Sequence, residues 1–245
     1  MKYYLVIPAR YNSRRLQGKP LLNILGIPMI LRTYNQCKKV VQESKILIAT
    51  DDIRIKKICE INKIKVVMTS KKCLTGTDRI SEVAKSFKAD FYLNIQGDEP
   101  ICNPSDIKKL IIEAKKNPNT IINGYTEIKD KELFYSEHIP KVVFRKDGRL
   151  LYQSRAPIPG NKKTKLVKSW RQVCVYSLPY RALKAFSSIK KKTQLESIED
   201  LELLRFLEIG WDVKMIKMSN KSISVDTKED LEKVKKILRN RLKKK

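Results

Sequence analysis

Short apolar runs alternate with segments of helical periodicity through the first half of the chain, and this alternation constrains the fold more than any other feature. The runs that predict strands cover residues 3–8, 46–49, 64–68 and 91–95. Residues 29–41 and 79–87 have helical spacing, and Asp51 and Asp52 mark the start of a further helix, where the macrodipole favours acidic side chains. Continuous apolar strands separated by helices indicate a mostly parallel sheet covered on both faces, which right-handed crossovers make a doubly wound α/β fold.

The chain changes character near residue 130. Residues 141–145 and 150–154 predict the two strands of a hairpin, because Asp147 and Gly148 supply the turn between them. Further strands are predicted at 172–177, at 213–217 and in a run that ends at Val225, with amphipathic helices at 195–209 and 228–238. We therefore expect one domain over residues 1–245, with an antiparallel sub-region at about residues 130–190.

The net charge of +27, from 53 Lys and Arg against 26 Asp and Glu, raises the hypothesis of a nucleic-acid-binding protein. The lysines are spread over the whole chain, and the densest run, residues 235–245, predicts a terminal helix and tail. No recognition helix, RNP-type strand or zinc finger accompanies that run. A lysine-rich solvated surface is the simpler interpretation, and attraction of an anionic nucleotide substrate is a third.

Other classes are excluded by what the sequence lacks. The apolar runs are far shorter than the ~20 residues of a membrane-spanning helix, and the strand-like N-terminus lacks the pattern of a signal peptide, which predicts a cytoplasmic protein without membrane insertion. Five cysteines without a CxxC pair and a single histidine, His138, argue against a disulfide framework and a zinc site. Catalysis of the Ser-His or Cys-His type would depend on that one histidine.

The loop after the first predicted strand is the strongest candidate for binding phosphate. Residues 8–20 place Arg10, Arg15 and Lys19 at the sheet edge where open α/β sheets bind ligands. Arginine and lysine side chains with free backbone N–H groups suit a polyphosphate, although the spacings of a Walker A loop and of a dinucleotide fingerprint are absent. The alternative is a basic surface loop.

Two carboxylates follow predicted strands. Asp98 comes after the strand at 91–95, and Asp226 comes after the run that ends at Val225. Carboxylates in these places would hold a Mg²⁺ ion shared with phosphates. As alternatives, Asp98 could be a turn or cap residue, and Asp226 or Thr227 could cap the last helix.

A small polar turn, residues 74–80, leads into the predicted helix at 79–87. A helix N-terminus together with Arg79 could hold a base, a ribose edge or a phosphate. Thr75 or Thr77 could equally be a plain helix cap. We interpret the acidic cluster of Glu196, Glu199, Asp200 and Glu202 as the solvated face of a helix.

Taken together, these segments resemble the CMP-KDO synthetases, the cytidylyltransferases that activate 3-deoxy-D-manno-octulosonate (KDO). Six motifs of that family occur in order over essentially the whole chain. They are residues 7–21 (IPARYNSRRLQGKPL), 49–51 (ATD), 75–79 (TGTDR), 94–100 (NIQGDEP), 154–159 (SRAPIP) and 225–231 (VDTKEDL).

The resemblance implies a glycosyltransferase-A-like α/β fold and a homodimer whose contact involves the antiparallel region. It implies Mg²⁺-dependent transfer of CMP from CTP to a sugar acid with release of pyrophosphate, for surface polysaccharide or lipopolysaccharide biosynthesis. It also implies residue roles: Arg10, Arg15 and Lys19 on the CTP phosphates, Thr75, Thr77 and Arg79 by the cytidine, Asp98 and Asp226 on Mg²⁺, Gln96 facing the sugar, and Ser13, Lys141, Arg155, Gln172, Tyr176 and Leu203 as further substrate-binding residues.

Gln17 replaces a Pro of the family pattern and Thr75 a Ser, and the more serious departures fall in the sugar half. The family's usual His is Gln172, a Gly is Cys174, and Leu203 replaces a Gln. Polar groups that bind a substrate hydroxyl set specificity, so these changes can change the sugar. KDO is the leading substrate, and a related ulosonate, either amino-KDO or a capsule-type sugar, is the alternative; a basic nucleic-acid-binding protein remains the alternative from another class.

Overall fold

A nine-stranded mixed sheet lies at the centre of the computed structural model, which describes residues 1–12, 16–163 and 165–243. The strands are β1 (Tyr3–Ala9), β2 (Asn23–Ile24), β3 (Ile27–Pro28), β4 (Ile46–Thr50), β5 (Val66–Met68), β6 (Phe91–Ile95), β7 (Ile121–Ile128), β8 (Lys141–Phe144), β9 (Leu150–Ser154), β10 (Ser169–Pro179) and β11 (Val213–Lys217). Strands β2 and β3 form a separate small hairpin, and the other nine belong to the main sheet.

Nine α-helices are found in the described ranges. They are α1 (Met29–Cys37), α2 (Ile53–Ile61), α3 (Gly76–Ser86), α4 (Pro104–Lys116), α5 (Lys131–Tyr135), α6 (Tyr180–Ser188), α7 (Gln194–Glu199), α8 (Glu202–Glu208) and α9 (Lys228–Leu242). Short 3-10 turns lie at Lys19–Leu21 and Glu43–Lys45. None of the described helices is both long enough and apolar enough to span a bilayer.

The strand order confirms the doubly wound, mostly parallel sheet. It runs β11-β7-β10-β6-β1-β4-β5, with β6, β1, β4 and β5 parallel and β11 parallel to β7. Strand β10 runs antiparallel to both β6 and β7, and the hairpin of β8 and β9 joins it through the pair Arg171 and Lys141. The antiparallel pairing therefore begins where the sequence changes character.

Helices cover both faces, as the apolar character of the strands requires. One face packs against α1, α2 and α4 through a core that includes Ile30, Ile55 and Leu110. The other packs against α3, α6 and α8 through Val83 and Phe206. A third cluster of buried side chains, the α9 cluster, holds the last helix beside the small hairpin; its members are Ile24, Met29, Ile101, Val225 and Val234.

Two predicted elements are wrong. The amphipathic stretch at 195–209 is not one helix, because Asp200 adopts a left-handed conformation (φ 52°) that ends α7 before α8 begins. The run that ends at Val225 is not a strand. The backbone N–H of Val225 instead donates to the carbonyl oxygen of Asp98 at 2.9 Å. Periodicity cannot distinguish an extended segment with one such bond from a strand of the sheet.

Candidate active site

Three charged side chains that are far apart in sequence meet at the carboxyl edge of the sheet. The Nζ atom of Lys19 lies 2.6 Å from Asp98 Oδ2 and 3.1 Å from Asp226 Oδ1. The two carboxylates that the sequence predicts for a metal are thus within reach of a single ammonium group. These side chains are partly buried, with 14% of Lys19, 23% of Asp98 and 27% of Asp226 exposed.

Local backbone chemistry places each of the three. Gly18 adopts the left-handed conformation (φ 67°) that the backbone needs just before the 3-10 turn that carries Lys19. At Gly97 a Cβ atom would lie 2.8 Å from the carbonyl oxygen of Pro8, so the loop after β6 approaches β1 closely because this residue has no side chain. Thr227 caps α9 in a capping box with Asp230, so the cap does not use the carboxylate of Asp226, which turns toward Lys19.

The electrostatics of this cluster favour a charged lysine. Burial lowers the pKa of Lys19, but the carboxylates of Asp98 and Asp226 outweigh it and leave the pKa above its usual value. Beside them, Glu99 is 4% exposed, and burial together with the negative charge of Asp98 raises its pKa to about 8. The site therefore concentrates acidic groups and neutralises part of their charge with one ammonium.

The two carboxylates fit a magnesium ion whose other ligands are water and substrate phosphates. Mg²⁺ is typically held by one or two carboxylates together with water and substrate phosphates. Within the ranges given above, no group of three or more His, Cys, Asp or Glu side chains is arranged to enclose a metal. Asp98 and Asp226 therefore match a magnesium site that water and substrate phosphates complete, and not one built from protein ligands alone.

A cavity of about 260 Å³ lies next to this edge, between the ends of β1 and β4 and the start of α3. Arg10 and Tyr11 line it, as do Asp51 and Arg79. Arg79 is 3% exposed and donates to Asp51 at 2.7 Å and to the hydroxyl of Thr69 at 2.8 Å. Arg79 therefore ties α3 to the end of β4. The predicted phosphate ligand Arg15 and the predicted substrate-binding residue Ser13 fall outside the described residues.

The start of α3 is fixed by its own helix cap and by a contact with α8. The Thr75 hydroxyl accepts a hydrogen bond from the backbone N–H of Asp78, which makes it the helix cap. The backbone N–H of Thr77 donates to Glu202 Oε2 at 3.1 Å, and Gln96 Nε2 donates to Glu202 Oε1 at 3.4 Å. One carboxylate thus joins the helix start to the end of β6.

Glu202 is a site residue that the sequence interpretation missed. Burial raises its pKa, and the hydrogen bond from Thr77 works in the opposite direction. The available signal was an acidic residue followed at once by the apolar Leu203, Leu204 and Phe206, which the structure buries. The interpretation of the acidic cluster as a solvated face is wrong here, and it is also wrong for Glu196 and Glu199.

Glu196 and Glu199 are structural anchors. Arg205 and Glu196 form an ion pair at 2.6 Å with side chains 0% and 1% exposed, and Arg205 also reaches Asp78 at 3.2 Å. Glu199 accepts hydrogen bonds from the Ser154 hydroxyl at 2.5 Å and from the backbone N–H of Arg155 at 2.8 Å. These contacts fix α7 and α8 against α3 and β9.

The predicted substrate cations Lys141 and Arg155 hold backbone in this structure. Lys141 is fully buried and donates to the carbonyl oxygens of Ser136, at 2.8 Å, and of Arg155. The Arg155 guanidinium donates to the carbonyl oxygens of Glu199, at 2.7 Å, and of Glu137, at 2.9 Å. Burial, together with the nearby charge of Arg155, lowers the pKa of Lys141 to about 8.

The three predicted sugar-pocket residues separate into two groups. Gln172 and Tyr176 are buried and hydrogen-bonded to each other, with Gln172 Nε2 3.1 Å from the Tyr176 hydroxyl. Leu203 is 1% exposed and packs in the apolar core with Phe206. The leucine therefore supplies no polar group where the resemblance expects glutamine.

Comparison with known proteins agrees with this geometry. The family model described as cytidylyltransferase matches residues 4–240. The chain belongs to the cytidylyltransferase family. A solved CMP:2-keto-3-deoxy-manno-octonic acid synthetase complexed with CTP superposes on this cytidylyltransferase with a TM-score of 0.90 at 32% identity, covering 98% of this chain and 100% of that one.

Curated relatives of the cytidylyltransferase have two substrate names. The 3-deoxy-manno-octulosonate cytidylyltransferase of Chloroherpeton thalassium is 39% identical over 99% of this chain and 100% of its own. The 8-amino-3,8-dideoxy-manno-octulosonate cytidylyltransferase of Shewanella oneidensis is 38% identical over 95% of this chain and 97% of its own. The predicted nucleotidyltransferase activity and the fold are thereby confirmed, while the residue roles remain predictions.

Proposed function

We propose that this cytidylyltransferase transfers CMP from CTP to the anomeric hydroxyl of a 3-deoxy-ulosonic sugar acid and releases pyrophosphate. The observation that carries the proposal is the meeting of Lys19, Asp98 and Asp226 at the carboxyl edge of the sheet. Charged groups of both signs suit a nucleotide whose phosphates are negative and arrive with a cation. The CTP in the synthetase of similar structure supports the choice of nucleotide.

The reaction asks little covalent chemistry of the protein. The anomeric oxygen attacks the α-phosphorus, the bond from that phosphorus to the β-phosphate oxygen breaks, and the hydroxyl proton leaves to solvent or base. Positioning and charge stabilisation carry most of such a reaction. Arg10 and Lys19, together with Arg15, are proposed to neutralise the departing pyrophosphate, and no histidine is needed.

Asp98 and Asp226 are the residues that would hold Mg²⁺. When bound, the ion lowers the pKa of an attacking hydroxyl and offsets charge on the phosphates. The chain's own part is to hold the two carboxylates together, which the backbone bond from Val225 to Asp98 and the cap of α9 achieve. Before the ion binds, the Lys19 ammonium offsets the repulsion between the two carboxylates.

Two sugar acids are supported by the relatives, and KDO is the leading one. The amino sugar is the second candidate because the residues that depart from the family pattern, Gln172 and Leu203, belong to the sugar pocket that the resemblance implies. Assembly as a homodimer through the antiparallel region is also proposed; Leu151 and Val167, which are 57% and 83% exposed, present apolar surface there. Light scattering at several concentrations tests the dimer.

Pyrophosphate release in the presence of Mg²⁺, CTP and a panel of sugar acids tests the function, with Asp98→Asn as the inactive control. Release with KDO supports the leading assignment. Release with the 8-amino sugar but not with KDO supports the assignment of CTP as the nucleotide and replaces KDO with the amino sugar as the substrate. Absence of release with every ulosonate, from folded protein that binds CTP, refutes the proposal.

A further inference from the structure

The side chain of Arg54, in the first turn of α2, stacks on the ring of Tyr11. Its guanidinium carbon lies 3.3 Å from the centre of that ring. An arginine over an aromatic ring is attracted by the electrons of the ring, and this contact is well inside the ~6 Å over which the attraction is significant. Tyr11 belongs to the loop after β1, which also carries Arg10 and Lys19. Helix α2 is therefore in contact with the loop that is proposed to bind the phosphates of CTP.

Asp52 fixes the guanidinium in this place. Its carboxylate caps α2 by accepting from the backbone N–H of Arg54 at 2.9 Å. The Arg54 side chain also donates to both carboxylate oxygens, from Nε at 2.9 Å and from Nη2 at 2.7 Å. Two parallel hydrogen bonds of this kind set the orientation of a guanidinium as well as its position. A side chain that is 53% exposed thus has a defined place over the Tyr11 ring.

Tyr11 in turn contacts the far end of the loop. Its carbonyl oxygen accepts a hydrogen bond from the backbone N–H of Gly18 at 2.9 Å. A Cβ atom on Gly18 would lie 3.1 Å from Cε2, from Cζ and from the hydroxyl oxygen of Tyr11, so the ring lies directly against this glycine. The next residue is Lys19, whose ammonium reaches Asp98 and Asp226. The contacts that begin at α2 therefore continue to the charged cluster of the active site.

We propose that Arg54 is a positioning residue for CTP, because its stack on Tyr11 fixes both ends of the loop that carries Arg10 and Lys19. The inference rests on the proposed function, in which these two cations face the phosphates of the nucleotide. Arg10 directly precedes Tyr11, and Lys19 directly follows Gly18. A displacement of the Tyr11 ring would therefore move both cations.

Preorganisation connects this contact to affinity. A loop that is already held in its binding conformation loses less conformational freedom when the ligand binds. The β- and γ-phosphates, which CMP lacks, are the groups that the proposed function assigns to the cations of the loop. Loss of the stack should therefore weaken the binding of CTP and not that of CMP.

A direct contact between Arg54 and the nucleotide is the competing explanation. Arg54 lines the same cavity as Arg10, so its positive charge faces the space next to the proposed phosphate site. The two explanations differ in one respect that can be measured. A positioning role requires the aromatic ring of Tyr11, whereas a direct contact does not.

Calorimetric titration with CTP and with CMP, in Mg²⁺ and without sugar, tests the positioning role. Arg54→Leu is expected to raise the Kd of CTP about tenfold and to leave the Kd of CMP within about twofold of wild type. Arg54→Lys keeps the charge but loses the planar stack and the paired hydrogen bonds, so its Kd for CTP should rise nearly as much.

Arg145→Leu is the matched control. The Arg145 side chain is also 53% exposed and also pairs with an aspartate two residues away, Asp147, at 3.2 Å. It lies in the turn between β8 and β9 and takes no part in the loop after β1. This variant should change neither Kd.

Substitutions of Tyr11 show whether its ring transmits the effect. In a Tyr11→Phe background the aromatic face remains, and Arg54→Leu should again raise the Kd of CTP about tenfold. In a Tyr11→Leu background the stack is already lost, so the addition of Arg54→Leu should change that Kd by less than about twofold.

Several results would overturn the proposal. Unchanged CTP binding in Arg54→Leu means that the stack does not position the loop, and equal weakening of CTP and CMP means that the substitution disturbs the whole site. An undiminished effect of Arg54→Leu in the Tyr11→Leu background means that Arg54 contacts the nucleotide directly.

Failure of the proposed function gives a different pattern. A wild type that binds neither nucleotide refutes the proposed function, and the positioning role with it. A wild type that binds CTP but releases no pyrophosphate with any ulosonate refutes the transfer reaction alone, and the Kd values of the variants still decide the role of Arg54.

Discussion

Removal of the Lys19 ammonium should destabilise the protein in a manner that magnesium reverses. In Lys19→Met, Asp98 and Asp226 lose the group that lies within 3.1 Å of both and face each other with like charge. Breaking a buried ion pair costs about 3–5 kcal/mol, and the partial exposure of these side chains reduces that cost to about 2–3 kcal/mol. For a chain of this size the thermal midpoint should fall by about 5–10 °C.

Magnesium should act differently on variant and wild type. In the variant nothing on residue 19 competes for the carboxylate pair, and a cation present at about 100 times its dissociation constant adds about 2.7 kcal/mol of stability. Urea unfolding of both proteins, in chelator and in millimolar Mg²⁺ without nucleotide, measures the two effects. Lys39→Met, at an exposed lysine, is the control and should match wild type in both buffers.

The reasoning fails on either of two results. If the free energy of unfolding of Lys19→Met in chelator is within about 0.5 kcal/mol of that of wild type, the range of ordinary surface substitutions, the ammonium does not hold the pair together. Equal stabilisation of both proteins by Mg²⁺ would mean that Lys19 and the ion do not share a position.

Three other substitutions probe the site and its supports. Asp98→Asn should abolish pyrophosphate release while the far-ultraviolet circular dichroism stays unchanged, and a near-normal rate would remove Asp98 from the metal pair. Lys141 has a folded pKa of about 8, below its unfolded value, so wild-type stability should rise by about 3 kcal/mol between pH 8 and 10.5; urea titrations of Lys141→Met should lack that rise, and parallel profiles contradict the assignment. Arg205→Met leaves the Glu196 carboxylate buried without a cation and should cost about 3–5 kcal/mol in urea unfolding, most of it recovered in the double variant with Glu196→Gln; no recovery would mean that lost packing dominates.

The alternation of apolar strands and helices was sufficient to predict the doubly wound sheet, because a parallel sheet needs its long connections. It was also sufficient to bring Lys19 and Asp98 to one edge, since each follows a strand that ends there. Asp226 reached the same place for a different reason. Its segment is not a strand, and a backbone bond from Val225 to Asp98 positions it.

Charge placement was less accessible to the sequence than strand placement. Whether an acidic residue in an amphipathic helix is solvated depends on which partner covers it, and the partners of Arg205 lie 9 and 127 residues away. The positions of Glu196 and Glu202 on a helical wheel are the same whether their carboxylates are solvated or buried against a partner. Such ion pairs become visible only in the folded structure, where Arg205 of α8 reaches Asp78 of α3.

Those long-range contacts couple the two sides of the cleft. Asp78 completes the cap of Thr75 and also receives Arg205, while Glu202, on the same helix as Arg205, joins Thr77 to Gln96. Helix α8 therefore holds the start of α3, which is proposed to bind the nucleotide, and contacts Gln96 after the end of β6, which is proposed to face the sugar. A shift of α8 would therefore move the start of α3 and Gln96 together. The buried ion pair of Arg205 and Glu196, which stabilises the fold, also fixes the relative position of these two proposed binding segments.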